Sequence, residues 1–190
     1  MPDTDSQATI RDCAHAAIRI IEEAGSDEAK LRAGLLDAMR PLVARDDLLT
    51  LGVKRPGNHI DNSKYLYYDG QLSITLDEFP NGKYIPPHDH GVWEALVVFK
   101  GRVRHCVYER IDDGTVEGHA DLKTIEDREY VPGEIAMVVP PTEIHSFTAL
   151  AEGTYVVTVV GGNYKPIRHY YNVADKTYVV SKPAALAPAE

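Results

Sequence analysis

The chain has 190 residues, 44% of them hydrophobic, and a formal net charge of −9. That length suits one domain around one core, and the acidic balance argues against a nucleic-acid partner, which calls for a basic face. No apolar run approaches the length needed to cross a bilayer, so no membrane association is expected. The opening MPDTDSQATIRDC is acidic and lacks the charged-then-apolar layout of a secretion signal, so a cytoplasmic location is the expectation. Cys13 and Cys106 lie in separate elements without CxxC spacing and read as free thiols in a reducing compartment.

Taken in chain order, residues 1–49 read as helical, 50–180 as β-structure and 181–190 as a flexible Pro- and Ala-rich tail, all within a single domain spanning 1–190. Ile10, Cys13, Ala14, Ala17, Ile18 and Ile21 recur at helical intervals and mark one amphipathic helix. Gly25 ends it, and Ser26 is placed to cap the next. The second helix carries a stripe of Leu31, Leu35, Met39, Leu42 and Val43, with Pro41 as a site for a kink or an early end. Helices this short need a surface to pack on, and the wall of the β-structure supplies it. A DNA-binding helix pair is disfavoured, because acidic residues outnumber basic ones in this segment.

Strands are expected over 65–68, 72–79, 93–100, 102–110, 134–139, 146–150, 154–160 and 167–172. Turn signals separate them at Asp69-Gly70, Asn81-Gly82, residues 112–114 and Gly161-Gly162. Many short strands with regular turns indicate a barrel or sandwich, of which the double-sheet jelly roll is one form.

The segment GKYIPPHDHGVWEALVVFKG holds His88 and His90 two residues apart, with Glu94 four residues further on. Residues i and i+2 of a strand share a face, so the two imidazoles point the same way, as two neighbouring ligands of one metal must. Pro86 and Pro87 cannot continue a central ladder, which sets the pair at a strand start or an edge. Glu94 shares a face with Leu96 and Val98, and a buried carboxylate above apolar side chains needs a partner such as a metal. His145, in PGEIAMVVPPTEIHSF, supplies a third imidazole. A lone histidine on a strand is most often a packed or surface residue; it is the coincidence of these residues that points to a divalent metal site with His88, His90, Glu94 and His145 as ligands.

The pattern G-x5-H-x-H-x3-E-x6-G, realised by Gly82, His88, His90, Glu94 and Gly101, resembles the first motif of the cupin superfamily. Gly133, Pro140 and His145 match its second motif loosely, with one extra residue between Gly133 and Pro140, Thr142 for a glycine and Ala149 for an asparagine. The resemblance implies a mostly β fold: a cupin double-stranded β-helix, or jelly-roll barrel, with two N-terminal α-helices packed on it. Within the superfamily the helical N-terminus, the HDH segment and the late pair His169-x-Tyr171 resemble the thiol dioxygenases, the cysteine and 3-mercaptopropionate dioxygenases, which bind Fe(II) through three histidines. That resemblance implies a catalytic role for Tyr171 and His169, as proton donor or hydrogen-bond partner near bound oxygen. Three departures accompany it. Ile167 stands where the family's relay has serine, Glu94 is present where the family usually lacks it, and the region of Lys64, Tyr65, Tyr67 and Tyr68 offers no arginine for a substrate carboxylate. Ala95 occupies the position that forms a thioether to the tyrosine in animal enzymes, so no crosslink is expected.

Imidazole and carboxylate donors suit Fe(II), Mn(II), Ni(II), Cu(II) or Zn(II). The expected function is a non-haem Fe(II) dioxygenase acting on a small molecule with dioxygen, oxidising a thiol to a sulfinate or cleaving a small oxygenated substrate. The alternatives are a non-oxidative cupin, an isomerase or lyase using Mn, Ni or Zn as Lewis acid, and a metal-stabilised binding module without turnover. Among other polar residues, Gln71, Tyr67 and Tyr68 are candidates to line the pocket, His105 and Arg102 are expected on a solvated outer face, and Trp93 is expected to pack structurally.

Overall fold

In the computed structural model, residues 8–55, 60 and 62–181 are described. Of the tail predicted over 181–190, Ser181 closes the last strand and residues 182–190 lie outside the described residues. Helix α1 (Ile10–Ala24) starts in a capping box, in which Thr9 and Asp12 satisfy each other's backbone N–H groups. Gly25 ends it with φ of 55°, a conformation that costs glycine little. Helix α2 (Glu28–Val43) is capped by Asp27, not by the predicted Ser26: the Asp27 carboxylate accepts from the Lys30 N–H at 3.0 Å. Pro41 does not end α2 early, since it sits in the last turn and the helix runs on to Val43.

Twelve strands follow among the described residues: β1 (Val53–Lys54), β2 (Asn62–Tyr68), β3 (Leu72–Phe79), β4 (Tyr84–His88), β5 (Glu94–Lys100), β6 (Val103–Arg110), β7 (Leu122–Tyr130), β8 (Ile135–Val138), β9 (Ile144–Ala149), β10 (Thr154–Gly161), β11 (Arg168–Asn172) and β12 (Thr177–Ser181). They form two six-stranded antiparallel sheets, ordered β1-β2-β3-β10-β5-β8 and β12-β11-β4-β9-β6-β7. From β3 onward the chain passes repeatedly between the sheets, so that β3-β10-β5-β8 faces β4-β9-β6-β7. This is the double-stranded β-helix of the jelly roll, with two N-terminal helices among the described residues.

Strands β3, β10, β5 and β8 of the first sheet are buried on both sides. Leu72, Ile74, Leu76, Ala95, Val97, Val157 and Val159 point outward into one cluster with Leu31, Leu35, Met39 and Leu42 of α2. The helices thus pack on the barrel wall as the sequence suggests. Between the sheets Phe79, Leu96, Val98, Val103, Phe147 and Val156 fill one end of the barrel. The other end is polar and holds the histidines. Trp93 packs outward at the edge of the helix-facing core, its ring so close to Gly161 that a Cβ there would lie 2.1 Å from it. Among the described residues no helix is long and apolar enough to cross a membrane.

Strand β4 departs from expectation. It is not an edge strand but lies between β11 and β9, with His88 at its end rather than its start. The ladder to β9 pairs Ile85 with Phe147 and then His88 with His145, with a register shift between the two. Pro86 and Pro87 fall within that irregular stretch, where missing N–H donors disturb no regular pairing.

Candidate metal centre

Strand pairing brings the histidines together. His88 ends β4 directly opposite His145 on β9, and His90 follows in the turn leading to β5. The three ring centroids stand 4.5, 4.7 and 4.9 Å apart, and one ligand atom from each lies within 4.8 Å of the others. All three side chains are buried. The turn carrying His90 is clamped from two directions. The Glu143 carboxylate accepts from the backbone N–H of His90 at 3.2 Å and of Gly91 at 2.6 Å, while the Lys165 N–H donates to the His90 carbonyl at 2.9 Å. Gly91 has φ of 78°, and a Cβ on it would press on Lys165 at 3.1 Å, so the close crossing favours glycine.

Tautomers and charge agree with a ligand role. His88 Nδ1 donates to the Pro86 carbonyl at 2.8 Å, which leaves the Nε2 lone pair free. His145 Nδ1 is hydrogen-bonded to His105 Nε2 at 2.7 Å. Burial pushes His88 down to about 4 and His145 well below the usual imidazole range, so both are neutral near pH 7, the form that binds metals. His90 Nε2 and His145 Nε2 lie 2.7 Å apart. Neighbouring donors at about 2.1 Å from one cation are separated by about 3 Å, so a small opening of this pair fits a metal.

Glu94 starts β5 on the opposite sheet. Its oxygens lie 3.6 Å from His90 Nε2 and 3.8 Å from His145 Nε2, within reach of a cation held by the imidazoles. The Tyr164 hydroxyl donates to Glu94 Oε2, and the Tyr164 ring stacks on His90 at 4.6 Å. Burial, then the Glu94 charge, pushes the Tyr164 phenol well above its usual value, so it stays protonated.

These residues line a cavity of about 260 Å³. Arg55 and Arg168 stand on its wall, and among the described residues neither forms a salt bridge. Opposite the histidines sits Asp77, 2% exposed. It accepts from the hydroxyls of Ser63, Thr75 and Thr158 at 2.5, 2.7 and 2.7 Å. Burial raises its pKa despite these three donors. Leu96, Phe147, Ile85 and Val160 supply apolar wall between the polar groups.

His169 and Tyr171 are not part of this cavity, contrary to the expected role beside bound oxygen. Tyr170 pairs with His88 across β11 and β4 and stacks on it at 5.5 Å, so its neighbours point to the opposite face. There His169 Nδ1 contacts Asp89 Oδ2 at 2.7 Å and the Tyr171 hydroxyl donates to it at 3.2 Å. Lys165 Nζ joins at 2.8 Å. Burial works to raise the Asp89 pKa, but Lys165 and His169 hold it below the usual value. This partly buried cluster ties β11 and the 162–167 segment to the turn that carries His90.

Other expectations are corrected in the same way. A register shift in β2 between Tyr65 and Tyr67 leaves Tyr65 facing the cavity. Tyr67 packs toward the helices, Tyr68 is 55% exposed and Gln71 is exposed. His105 is fully buried, not solvated. The apolar neighbours Val103 and Val107, two residues to either side of it, are the signal for that burial. Arg55, Asp77, Tyr164 and Arg168 carry no local motif; only the pairing of distant strands places them on one cavity.

Fold and side chains together define a jelly-roll barrel with a candidate three-histidine metal centre at one end. No protein-family model matches the chain, and no curated protein matches it. Solved structures of similar fold include KdgF from Halomonas sp., 17% identical over 57% of this chain and 86% of that one, with a TM-score of 0.43. A cupin superfamily protein from Desulfitobacterium hafniense is 16% identical over 61% of this chain and 88% of that one, with a TM-score of 0.40. An RmlC-like cupin protein from Ralstonia eutropha is 19% identical over 69% of this chain and 73% of that one, with a TM-score of 0.44.

Proposed function

We propose that this protein is a non-haem Fe(II)-dependent dioxygenase that oxidises a small anionic thiol to its sulfinate, R–SH + O₂ → R–SO₂H, in a reducing, cytoplasmic setting. The observation that carries the reading is the presence of three buried imidazoles and two arginines on the wall of one cavity. His88, His90 and His145 would hold the metal. Fe(II), when bound there, would supply redox chemistry toward the substrate and dioxygen.

The remaining roles belong to the chain's own groups. Arg55 and Arg168 orient an anionic group of the substrate, for which a guanidinium offers a planar pair of donors. They supply the cationic clamp that the strand near Lys64 lacks. Tyr164 keeps its proton at the phenol oxygen and donates a hydrogen bond to Glu94 while its ring stacks on His90, so it positions the carboxylate beside the imidazoles. The apolar wall of Leu96, Phe147 and Val160 borders the cavity and limits water within it.

A second reading, a Lewis-acid isomerase or lyase using Mn, Ni or Zn, is favoured by Glu94 alone, because a fourth protein ligand leaves fewer open positions. Oxygen uptake by protein reconstituted anaerobically with Fe(II) tests both. Cysteine and 3-mercaptopropionate, which carry a carboxylate, are expected to drive uptake, and cysteamine, which lacks one, to do so poorly. Uptake with cysteamine alone would overturn the role of the arginines. Absence of uptake with all three thiols, in protein shown to hold iron, would overturn the thiol dioxygenase.

A further inference from the structure

Behind the metal centre a line of contacts runs from His145 to the protein surface. His145 Nδ1 meets Nε2 of His105 on β6 at 2.7 Å, and His105 is fully buried. The other nitrogen of His105, Nδ1, lies 3.8 Å from Glu126 Oε1 on the edge strand β7. The Glu126 side chain is 35% exposed, and its position is held by the Tyr130 hydroxyl, which donates to Oε1 at 2.7 Å. The Tyr130 ring stands edge-on to His105, with centroids 6.2 Å apart.

An imidazole pair carrying one hydrogen on each ring and joined by one hydrogen bond can be arranged in two ways. In the first, His145 carries its hydrogen on Nδ1 and donates to His105 Nε2. His145 Nε2 then offers a lone pair to the metal, and His105 must carry its hydrogen on Nδ1, toward Glu126. In the second, His105 donates, His145 carries its hydrogen on Nε2 and cannot bind a metal, and the His105 Nδ1 lone pair faces a carboxylate. The Glu126 charge disfavours the second arrangement and favours the first.

We infer that His105 is a positioning residue that fixes the metal-binding tautomer of His145, and that Glu126 selects this tautomer through His105. The inference rests on the metal-centre reading above and concerns residues that the expected ligand set does not include. It ties the donor strength of a buried ligand to a partly exposed carboxylate on an edge strand.

Titration of the metal-free protein with Co(II), followed by its visible absorption, tests this together with the thermal midpoint of each metal-free variant. His105→Leu removes the acceptor and is expected to weaken Co(II) binding by about 10- to 100-fold. His105→Gln sets an amide oxygen near the former Nε2 and is expected to restore affinity to within about threefold of wild type. Glu126→Gln keeps the shape and the Tyr130 contact but removes the charge, and a several-fold loss is expected. Because Glu126 is partly exposed, that variant decides the matter even where His105→Leu does not fold. Unchanged affinity in Glu126→Gln overturns the selection by charge, and equal losses in His105→Gln and His105→Leu overturn the tautomer role in favour of simple packing. Failure of the wild-type protein to take up Co(II) overturns the metal centre itself, an outcome distinct from both.

Discussion

Glu94 is the residue at which the dioxygenase and Lewis-acid readings diverge. The three imidazoles suffice to hold a cation, so Glu94→Ala is expected to retain stoichiometric iron while its activity changes. Loss of iron, measured by metal analysis after desalting, would instead make Glu94 a fourth ligand and favour the Lewis-acid enzyme. Tyr164→Phe removes the one hydroxyl that is both stacked on His90 and bonded to Glu94. Turnover is expected to fall at least about tenfold with iron content unchanged; wild-type kinetics would reduce Tyr164 to packing. Asp77 gives a pH dependence. Its folded pKa is raised by burial above an unfolded value of about 3.9, so the folded state binds the extra proton. Its contribution is then fully present below that unfolded value and lost as pH rises through the raised one. Asp77→Asn is expected to lower the dependence of the thermal midpoint on pH across that window, and an unaltered slope would show that Asp77 ionises as readily in the fold as in the unfolded chain.

At the scale of elements, α2 matters because its apolar stripe closes the outer face of the sheet that contributes Glu94. Leu35 is fully buried there, and Leu35→Ala is expected to cost about 2–5 kcal/mol, read from denaturant unfolding of the metal-free protein. A loss under about 1 kcal/mol would mean that the helix barely contributes to the fold. This stripe was legible because its spacing is helical and its residues are large and apolar. Strand β3 was legible for its dense β-branched and aromatic content, with a turn signal at each end. Strand β7 was not: LKTIEDREY buries only its first and last residues and is otherwise mostly charged, as suits an edge strand whose unpaired side must resist pairing with other chains. The double proline of β4 suggested an edge, yet the break in the β4–β9 ladder accommodates it in the middle of a sheet. The clustering of His88, His90 and His145 was legible from the motif, whereas the strand-period argument did not place His90, which lies in the turn after β4. The orientation of His169 and Tyr171 was not legible, since the β11–β4 register that turns them toward Asp89 depends on residues about 80 positions apart in the chain.

Across the whole molecule, the centre spans the space between the two sheets. His88 and His145 belong to one sheet, Glu94 to the other, and His90 to the turn that crosses between them. A cation held there would bind only the assembled barrel, since the unfolded chain does not bring these donors together. Binding must then raise stability by RT ln(1 + [M]/Kd), about 2.7 kcal/mol at a free metal concentration one hundred times Kd. For a chain of 190 residues each kcal/mol corresponds to roughly 2–4 °C, so a rise in thermal midpoint of about 5–10 °C is expected on adding Co(II) or anaerobic Fe(II). His145→Ala opens a cavity and lowers the metal-free midpoint by itself, which makes the rise, not the absolute value, the informative quantity. That rise is expected to vanish in His145→Ala and in His88→Ala and to persist in Leu35→Ala, whose defect lies outside the barrel. A rise of wild-type size in both histidine variants would place the bound cation elsewhere, and the barrel end would then be a polar core without a metal.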